Sequence, residues 1–577
     1  MSKWTDKAVI YHIYPIGFCG APRVNDGGDT VSRINKVIDL IPHLCGLGVN
    51  AVYFGPVFES SEHGYDTSDY MKIDRRLGSN EDFALVSSKL HENGIRVVVD
   101  GVFNHVGRNF HAFRDVLQNG GNSRYVSWFK NLNFDGNSPM GDNFRYEGWE
   151  GHFNLVTLNL LNPEVKEHIF SAVRMWIEKF DIDGLRLDVA YCLDPGFIKE
   201  LRRFCTGLKE DFWLMGEVIH GDYSRFANPE MLESVTNYEC YKGIYSSHND
   251  KNYFEIAHSF IRQFGNGGSG GIYNGIKTYN FVDNHDVNRL ASMLKNENHI
   301  YNAYTILFTM PGCPSIYYGS EWGAKGEKRG GDDSPLRPCI ETLDKTDNAL
   351  TAHISKLAQI RRTLPVFENG AYHQMTLENK KYSYKRADGN EEVYILLNIE
   401  DFDTSFRFRA NSDKLVDLLT GESFEVNGDA DIPVKSCTGR ILSRNSEFTD
   451  AVLGAAGYIT PVKEEIPKEK TAPQTPQGGD APSGTHDNTG GIKDVEKPEE
   501  TAKEDPPVFD LEKSLQKLGA SLAAARNAKG INIGYAAGIS DIPAKSIIEM
   551  EKGNIESIEQ LLRYTFALGI DVDFHSA

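Results

Sequence analysis

Short apolar runs alternate with amphipathic stretches through the first two-thirds of the chain. Val9-Ile10-Tyr11-His12-Ile13-Tyr14 reads as a buried strand, helical periodicity follows from Thr30 to Leu47, and Val49 to Phe54 is a second apolar strand. The unit then repeats. A helix across Asn80 to Asn93 precedes Ile95-Arg96-Val97-Val98-Val99-Asp100, and later strands end near Asp188, Glu217, Tyr238, Asp283 and Tyr318. Strands alternating with helices in this number predict an α/β fold, a parallel sheet closed as a (β/α)8 TIM barrel over residues 1–366. Asp100 and Asp188 lie too far apart for one strand–helix unit, so the loop after strand three must carry a subdomain, about 107–159. Its Trp128, Phe134, Phe144, Tyr146, Trp149 and Phe153 are expected to make an aromatic wall.

The period changes near Phe367. Short alternating segments such as Tyr382-Ser383-Tyr384 and Val393-Tyr394-Ile395-Leu396-Leu397, with turns like Ala387-Asp388-Gly389-Asn390, predict an antiparallel β-sandwich over 367–445. Residues 446–508 are expected to be a linker, and its Pro461 to Pro507 stretch, rich in Pro, Lys, Glu, Gly and Thr, a disordered tether. Helical periodicity returns over 509–577, which should fold separately as a small all-α domain.

Composition narrows the function. A net charge of -20 argues against a chain dedicated to nucleic acid or to an anionic membrane surface. No run approaches the roughly 20 apolar residues that a membrane span needs, and Met1-Ser2-Lys3-Trp4-Thr5-Asp6 contains no apolar signal segment. The eight cysteines are scattered without C-x-x-C pairs, as expected of reduced thiols in a cytoplasmic protein.

The candidate chemistry centres on Asp183-Gly184-Leu185-Arg186-Leu187-Asp188. With period two, Leu185 and Leu187 face one way and Arg186 and Asp188 the other, which sets a guanidinium beside a carboxylate. Alone this could be a structural ion pair; beside Asp188, the arginine would keep a carboxylate nucleophile ionised. Three more polar clusters end apolar strands: Asp100-Gly101-Val102-Phe103-Asn104-His105, Met215-Gly216-Glu217-Val218 and Phe281-Val282-Asp283-Asn284-His285-Asp286.

In order and spacing, these four segments resemble the defining motifs of the alpha-amylase family of glycoside hydrolases, from about Ala8 to Leu442. The resemblance implies Asp188 as nucleophile, Glu217 as acid and Asp286 as stabiliser of the distorted sugar, and retaining hydrolysis wants the first two about 5–5.5 Å apart. Three crowded carboxylates cannot all stay ionised cheaply, and Glu217, which lacks a paired arginine, is expected to hold the proton. The resemblance further implies that His105 and His285 bind sugar hydroxyls and that Tyr65, in His63-Gly64-Tyr65-Asp66-Thr67-Ser68-Asp69-Tyr70, stacks under the reacting ring. Arg337, in Asp332-Asp333-Ser334-Pro335-Leu336-Arg337-Pro338, is expected near Asp286. Asp66, Asp100 and Asn104 are expected in support, with Asp100 bracing Arg186 or the adjacent loop.

Val189-Ala190-Tyr191-Cys192 departs from the Lys-His pair that serves a leaving-group subsite and the calcium site in starch-cleaving relatives. No cofactor is expected on that ground, although Asn104 matches a calcium ligand and the metal content stays open. Leu155-Val156-Thr157-Leu158-Asn159 and Glu217-Val218-Ile219-His220 look like the neopullulanase and cyclomaltodextrinase branch, which implies maltooligosaccharides and related alpha-glucans as substrates. A transglycosylase or glucan isomerase shares every motif, and a sugar-sensing regulator is the rival of another class. Leu518 to Gly553 resembles a lambda-repressor-like helix-turn-helix: Ile531 to Ser540, a turn at Asp541-Ile542-Pro543, then Ala544 to Glu551. Acidic residues outnumber basic ones over 509–577, so protein docking or self-association is favoured there over DNA binding.

Overall fold

The computed structural model describes residues 3–444 and 446–454, and, toward the C-terminus, 511–528, 533–540, 542–552, 554 and 558–567. The tether expected at Pro461 to Pro507 lies outside the described residues. Two compact units divide the chain, Met1–Pro467 and Lys468–Ala577.

The first unit holds the barrel. Its strands are β1 (Ile10–Ile13), β2 (Ala51–Phe54), β3 (Arg96–Gly101), β4 (Gly184–Leu187), β5 (Trp213–Gly216), β6 (Ser234–Val235), β7 (Tyr279–Asn280) and β8 (Cys313–Tyr317). All neighbours pair in parallel, in the order β6-β5-β4-β3-β2-β1-β8-β7. A parallel bridge between Thr236 and Tyr279 closes the ring. Period-two alternation separates two apolar sets. Ile10, Tyr53, Val98 and Met215 fill the interior, whereas Tyr11, Val52, Val97, Val99, Leu185 and Leu187 pack outward against the helices. Because Val98 points inward, so does Asp100, and the same parity sends Arg186 inward.

The first expected helix starts late: Arg33–Asn35 is a single 3-10 turn, and the α-helix runs Lys36–Leu47. The subdomain begins at His105, since His105–Gly107 pairs with His152–Thr157 in a three-stranded sheet. Gly107 is required where it stands, because a Cβ there would sit 2.4 Å from the Asp66 carbonyl oxygen. The aromatic wall is corrected in part. Phe113, Phe129, Phe144 and Tyr146 pack on one another as the subdomain's own core, and Trp128 donates to Glu164 Oε2 at 2.9 Å. A short hydrophobic core has to be built from few residues, and rings bury the most area per residue.

An antiparallel six-stranded sheet and a two-stranded sheet follow, spanning Ala371–Ser443 and sharing a core that includes Tyr394, Leu396, Phe406 and Ile432. The linker expected from 446 begins later: Ser446–Gly454 is a helix that buries Val452, and Lys356 donates to the Val452 carbonyl at 2.7 Å. Two buried arginines meet at one barrel helix, and one of them, Arg386, ties the sandwich to the barrel. Arg386 reaches the Thr309 carbonyl at 2.8 Å and the Gly370 carbonyl at 2.7 Å, while Arg361 reaches the Phe308 carbonyl at 2.9 Å. Both satisfy carbonyls at the C-terminal end of helix Ile300–Thr309, where cations are favoured.

His248 is buried among Tyr253, His299 and Ile244, and burial lowers its pKa to about 4. It stays neutral in the fold but protonates near 6.5 once unfolded, so its contribution is present above pH 6.5 and fades as pH falls toward 4. The loss is about 3 kcal/mol from this group. Denaturant titrations from pH 7.5 to 4.5 should show a stability slope that His248→Met flattens; an unchanged slope would remove His248 as its source.

The second unit contains helices Leu511–Ala528, Ile533–Ser540, Ala544–Glu551 and Ile558–Ala567 around Leu522, Ala536, Ile547, Met550 and Tyr564. Arg526 clamps Glu551 with two bonds, Nε–Oε1 at 2.6 Å and Nη2–Oε2 at 2.9 Å. Ile542 and Pro543 connect the middle pair of helices, and Asp541 lies outside the described residues.

Candidate active site

The C-terminal ends of β3, β4 and β5 are in step: Asp100 pairs with Arg186 and Gly101 with Leu187, while Met215 pairs with Arg186 and Gly216 with Leu187. Asp188 and Glu217 each follow one residue later and therefore stand level on adjacent strands, whose spacing is about 4.8 Å. The ladder continues past the strands, with Asp188 N donating to Gly101 O at 3.1 Å and Glu217 N to Leu187 O at 2.9 Å.

Arg186 holds the cluster together. Its Nη1 lies 3.0 Å from Asp100 Oδ1 and 2.7 Å from Asp188 Oδ1, and its Nη2 lies 2.9 Å from Glu217 Oε1. The expectation that Glu217 lacks an arginine is thus corrected: the partner sits on the neighbouring strand, not on Glu217's own. Three buried carboxylates share one guanidinium. Burial outweighs the pull of Arg186 and, with repulsion from Glu217 and Asp100, raises the Asp188 carboxyl well above its ordinary value, which corrects the expectation that the arginine beside it suffices to keep it ionised. Asp100 is raised for the same leading reason and is further held by the Tyr53 hydroxyl at 3.0 Å.

Asp286 has the opposite environment. Its Oδ2 is 2.9 Å from His285 Nε2 and its Oδ1 is 2.9 Å from Arg337 Nη2. Burial would raise this carboxyl, but His285 and Arg337 outweigh it and hold the group well below the carboxylate range. Arg337 also donates from Nε to the His285 carbonyl at 3.0 Å and lies over the Tyr14 ring at 4.5 Å.

The remaining sequence-predicted residues converge on these carboxylates. Tyr65 stacks on His285 at 5.7 Å, hydrogen-bonds its Nε2 and reaches Asp100 Oδ2 at 3.3 Å. Asp66 Oδ2 accepts the amides of Ser61 at 3.0 Å and Glu62 at 2.8 Å, shaping the turn that presents Tyr65. His105 Nε2 is 4.0 Å from Asp188 Oδ2. Burial lowers this imidazole to about 3, so it is neutral, and Asn104 Nδ2 at 3.2 Å engages Nδ1, leaving Nε2 to carry the hydrogen. All eleven predicted residues belong to one connected site.

Asn104, the position matching a calcium ligand, turns its amide to His105 and its backbone carbonyl to the Leu158 amide at 2.9 Å. Among the described residues no three His, Cys, Asp or Glu side chains gather as a metal cage. No step below involves a metal ion.

Several residues escaped the sequence reading. Tyr238, just past β6, donates to Glu217 Oε1 at 3.3 Å. Val189 adopts φ +40° and ψ +49° and donates its amide to Glu217 Oε2 at 3.1 Å. A β-branched residue rarely occupies that region, at a cost of about 1–3 kcal/mol. Trp149, which the sequence did place in the aromatic wall, lies 5.5 Å from His105, and Tyr191, which it did not, donates to Glu150 Oε1 at 3.2 Å, so these form the wall beside Asp188. Tyr238 opens the helix Tyr238–Asn249 a short step past β6, and its place near an expected strand end was its one signal.

A barrel whose strand ends gather paired carboxylates under an aromatic platform defines a glycosidase. The catalytic-domain model of the alpha-amylase family matches residues 12–358, and the chain belongs to that family. A cyclomaltodextrinase of Geobacillus thermopakistaniensis is 30% identical over 460 residues, 74% of this chain and 75% of that one. Neopullulanase 2 of Thermoactinomyces vulgaris is 32% identical over 459 residues, again 74% and 75%. The acarbose-soaked debranching enzyme of Nostoc punctiforme superposes with a TM-score of 0.64 at 27% identity, over 77% of this chain and 99% of that one. The protein is an alpha-amylase family glycosidase of the neopullulanase and cyclomaltodextrinase kind.

Proposed function

We propose that the enzyme hydrolyses alpha-1,4-glucosidic bonds of maltooligosaccharides, and alpha-1,6 bonds where they occur, with retention. The observation that carries this reading is the level placement of Asp188 and Glu217 on adjacent strands, bridged by Arg186. Such spacing suits double displacement through a glycosyl-enzyme, whereas an inverting pair stands farther apart to admit water.

Asp188 is the nucleophile. Arg186 occupies its Oδ1, which leaves Oδ2 to attack the anomeric carbon. Glu217 protonates the leaving oxygen and later takes a proton from water. Asp286, kept anionic by His285 and Arg337, binds the hydroxyls of the distorted ring and stabilises its developing positive charge. Tyr65 supplies the apolar face beneath the sugar, and neutral His105 offers Nε2–H to a hydroxyl. A sensor that merely binds sugar has no use for an acid set opposite a nucleophile, so the regulator reading ranks below hydrolysis.

Free thiols at all eight cysteines support a cytoplasmic setting, and no described helix is long and apolar enough to cross a membrane. For the C-terminal helices we favour protein docking or self-association over DNA binding. Helix Ala544–Glu551 exposes Ile548 to 38%, carries Lys545 as its one basic residue, and the nearby Arg526 is neutralised by Glu551, so it offers a duplex little positive charge.

Incubation with maltodextrin, a cyclodextrin and pullulan, followed by sizing of the products, tests the reading. Short linear maltooligosaccharides should accumulate, with newly formed reducing ends initially in the alpha form. Products longer than the substrate would assign the enzyme to transglycosylation instead, and binding without cleavage would revive the sensor.

A further inference from the structure

We propose that the transferable proton of Glu217 resides on Oε2, and that Tyr238, aimed by Asn284, together with the backbone amide of Val189, are the positioning groups that put it there. This rests on the acid role given to Glu217 above and adds residues that the four motifs leave without a part.

The argument counts donors. Glu217 Oε1 faces Arg186 Nη2 at 2.9 Å and the Tyr238 hydroxyl at 3.3 Å. A guanidinium can only donate. The tyrosine hydroxyl could in principle point either way, but Asn284 fixes its direction. Asn284 Oδ1 is committed to the amides of Asp286 at 2.8 Å and Val287 at 3.1 Å, so its Nδ2 faces Tyr238 and donates to the hydroxyl oxygen at 3.4 Å. The tyrosine proton is thereby sent toward Glu217. With both lone pairs of Oε1 taken by donors, Oε1 is the carbonyl-like oxygen, and a proton added there would meet two others. Oε2 has one donor, the Val189 amide at 3.1 Å, and room for a hydrogen.

The left-handed turn at Val189 has a purpose in this arrangement. Immediately after the nucleophile the chain must reverse so that an amide, and not a carbonyl, faces the acid. Val189 is 4% exposed, and its packing holds a conformation that valine otherwise avoids. One turn therefore ties the nucleophile to the oxygen that must deliver the proton.

In the first step, Oε2–H gives its proton to the glycosidic oxygen as the bond from the anomeric carbon breaks and its electron pair stays on that oxygen. A carboxylate oxygen of Asp188 supplies the pair for the new bond to that carbon. Glu217 is left anionic, met by Arg186 and Tyr238 on Oε1 and by Val189 on Oε2.

Tyr238→Phe and Val189→Gly test this in the full-length enzyme with two substrates. One is maltotriose, whose leaving sugar needs a proton. The other is an aryl alpha-maltoside whose phenolate leaves without one. If the groups act through the acid, each variant should lose about 10-fold or more in kcat on maltotriose, with KM little changed, and less than about 2-fold in the rate of the first phenolate burst from the aryl substrate, the step that precedes any need for a base. Equal losses on both substrates, or no loss on either, would overturn the assignment. Valine to glycine suits the positive φ, and a thermal melt confirms that each variant is folded; should Val189→Gly melt early, Tyr238→Phe decides alone. A wild type inactive on every alpha-glucan would instead refute the hydrolase reading.

Discussion

Asp188→Asn should abolish turnover on every substrate, lowering kcat by at least about 10⁴-fold, because no other oxygen in the site can form the bond to the anomeric carbon. Glu217→Gln should fail differently. Deprived of its acid, it should lose about as much on maltotriose yet still be glycosylated by an aryl alpha-maltoside, and then stall because no base activates water. Mass spectrometry of the stalled protein should show a sugar adduct on the Asp188 peptide. The contrast matters more than either loss. If Asp188→Asn kept more than a hundredth of the wild-type rate, or the adduct formed on another carboxylate, the roles would have to be reassigned.

Arg186→Met is the second large effect, and it acts on two quantities together. Removing the one cation shared by Asp100, Asp188 and Glu217 leaves buried carboxylates without compensation, and breaking such a pair costs about 3–5 kcal/mol. The sign with pH is unusual. Asp188 is already raised in the fold, and losing Arg186 raises it further. A carboxyl raised on folding favours the native state at low pH, and that benefit is lost as pH rises through the folded value. Measured against the wild type at the same pH, the variant should therefore lose less melting temperature at pH 5 than at pH 8. The acid limb of the remaining activity should move upward, since the nucleophile is protonated sooner. A deficit against the wild type that grows with acid would show that another group carries the compensating charge.

The barrel was readable because its signal is periodic. Alternation in Val97-Val98-Val99-Asp100 and in Leu185-Arg186-Leu187-Asp188 says which residues face inward without any knowledge of their neighbours. What could not be read depended on lateral register. Arg186 shares a strand with Asp188, so that pair was visible, whereas its contact with Glu217 exists only because β4 and β5 pair level. Tyr238 was hidden for a related reason: aromatic residues end many strands, and only the position of Glu217 gives its hydroxyl a task. Val189 carries no signal at all, since valine is a poor guess for a left-handed turn. The subdomain misled through composition, because aromatic rings suit a sugar-binding wall and a small core equally well. At 446 the apolar spacing of Phe448 and Val452 was too brief to compete with the proline-rich stretch that follows.

The two arginines at the end of helix Ile300–Thr309 come from different halves of the enzyme, Arg361 from the last long barrel helix and Arg386 from the sandwich. A chain ended at 366 would keep every residue that touches substrate and still strip the Thr309 carbonyl of its donor. The sandwich thus acts as a closing plug that supplies a buried donor the catalytic half lacks by itself, so cutting it away should destabilise that half.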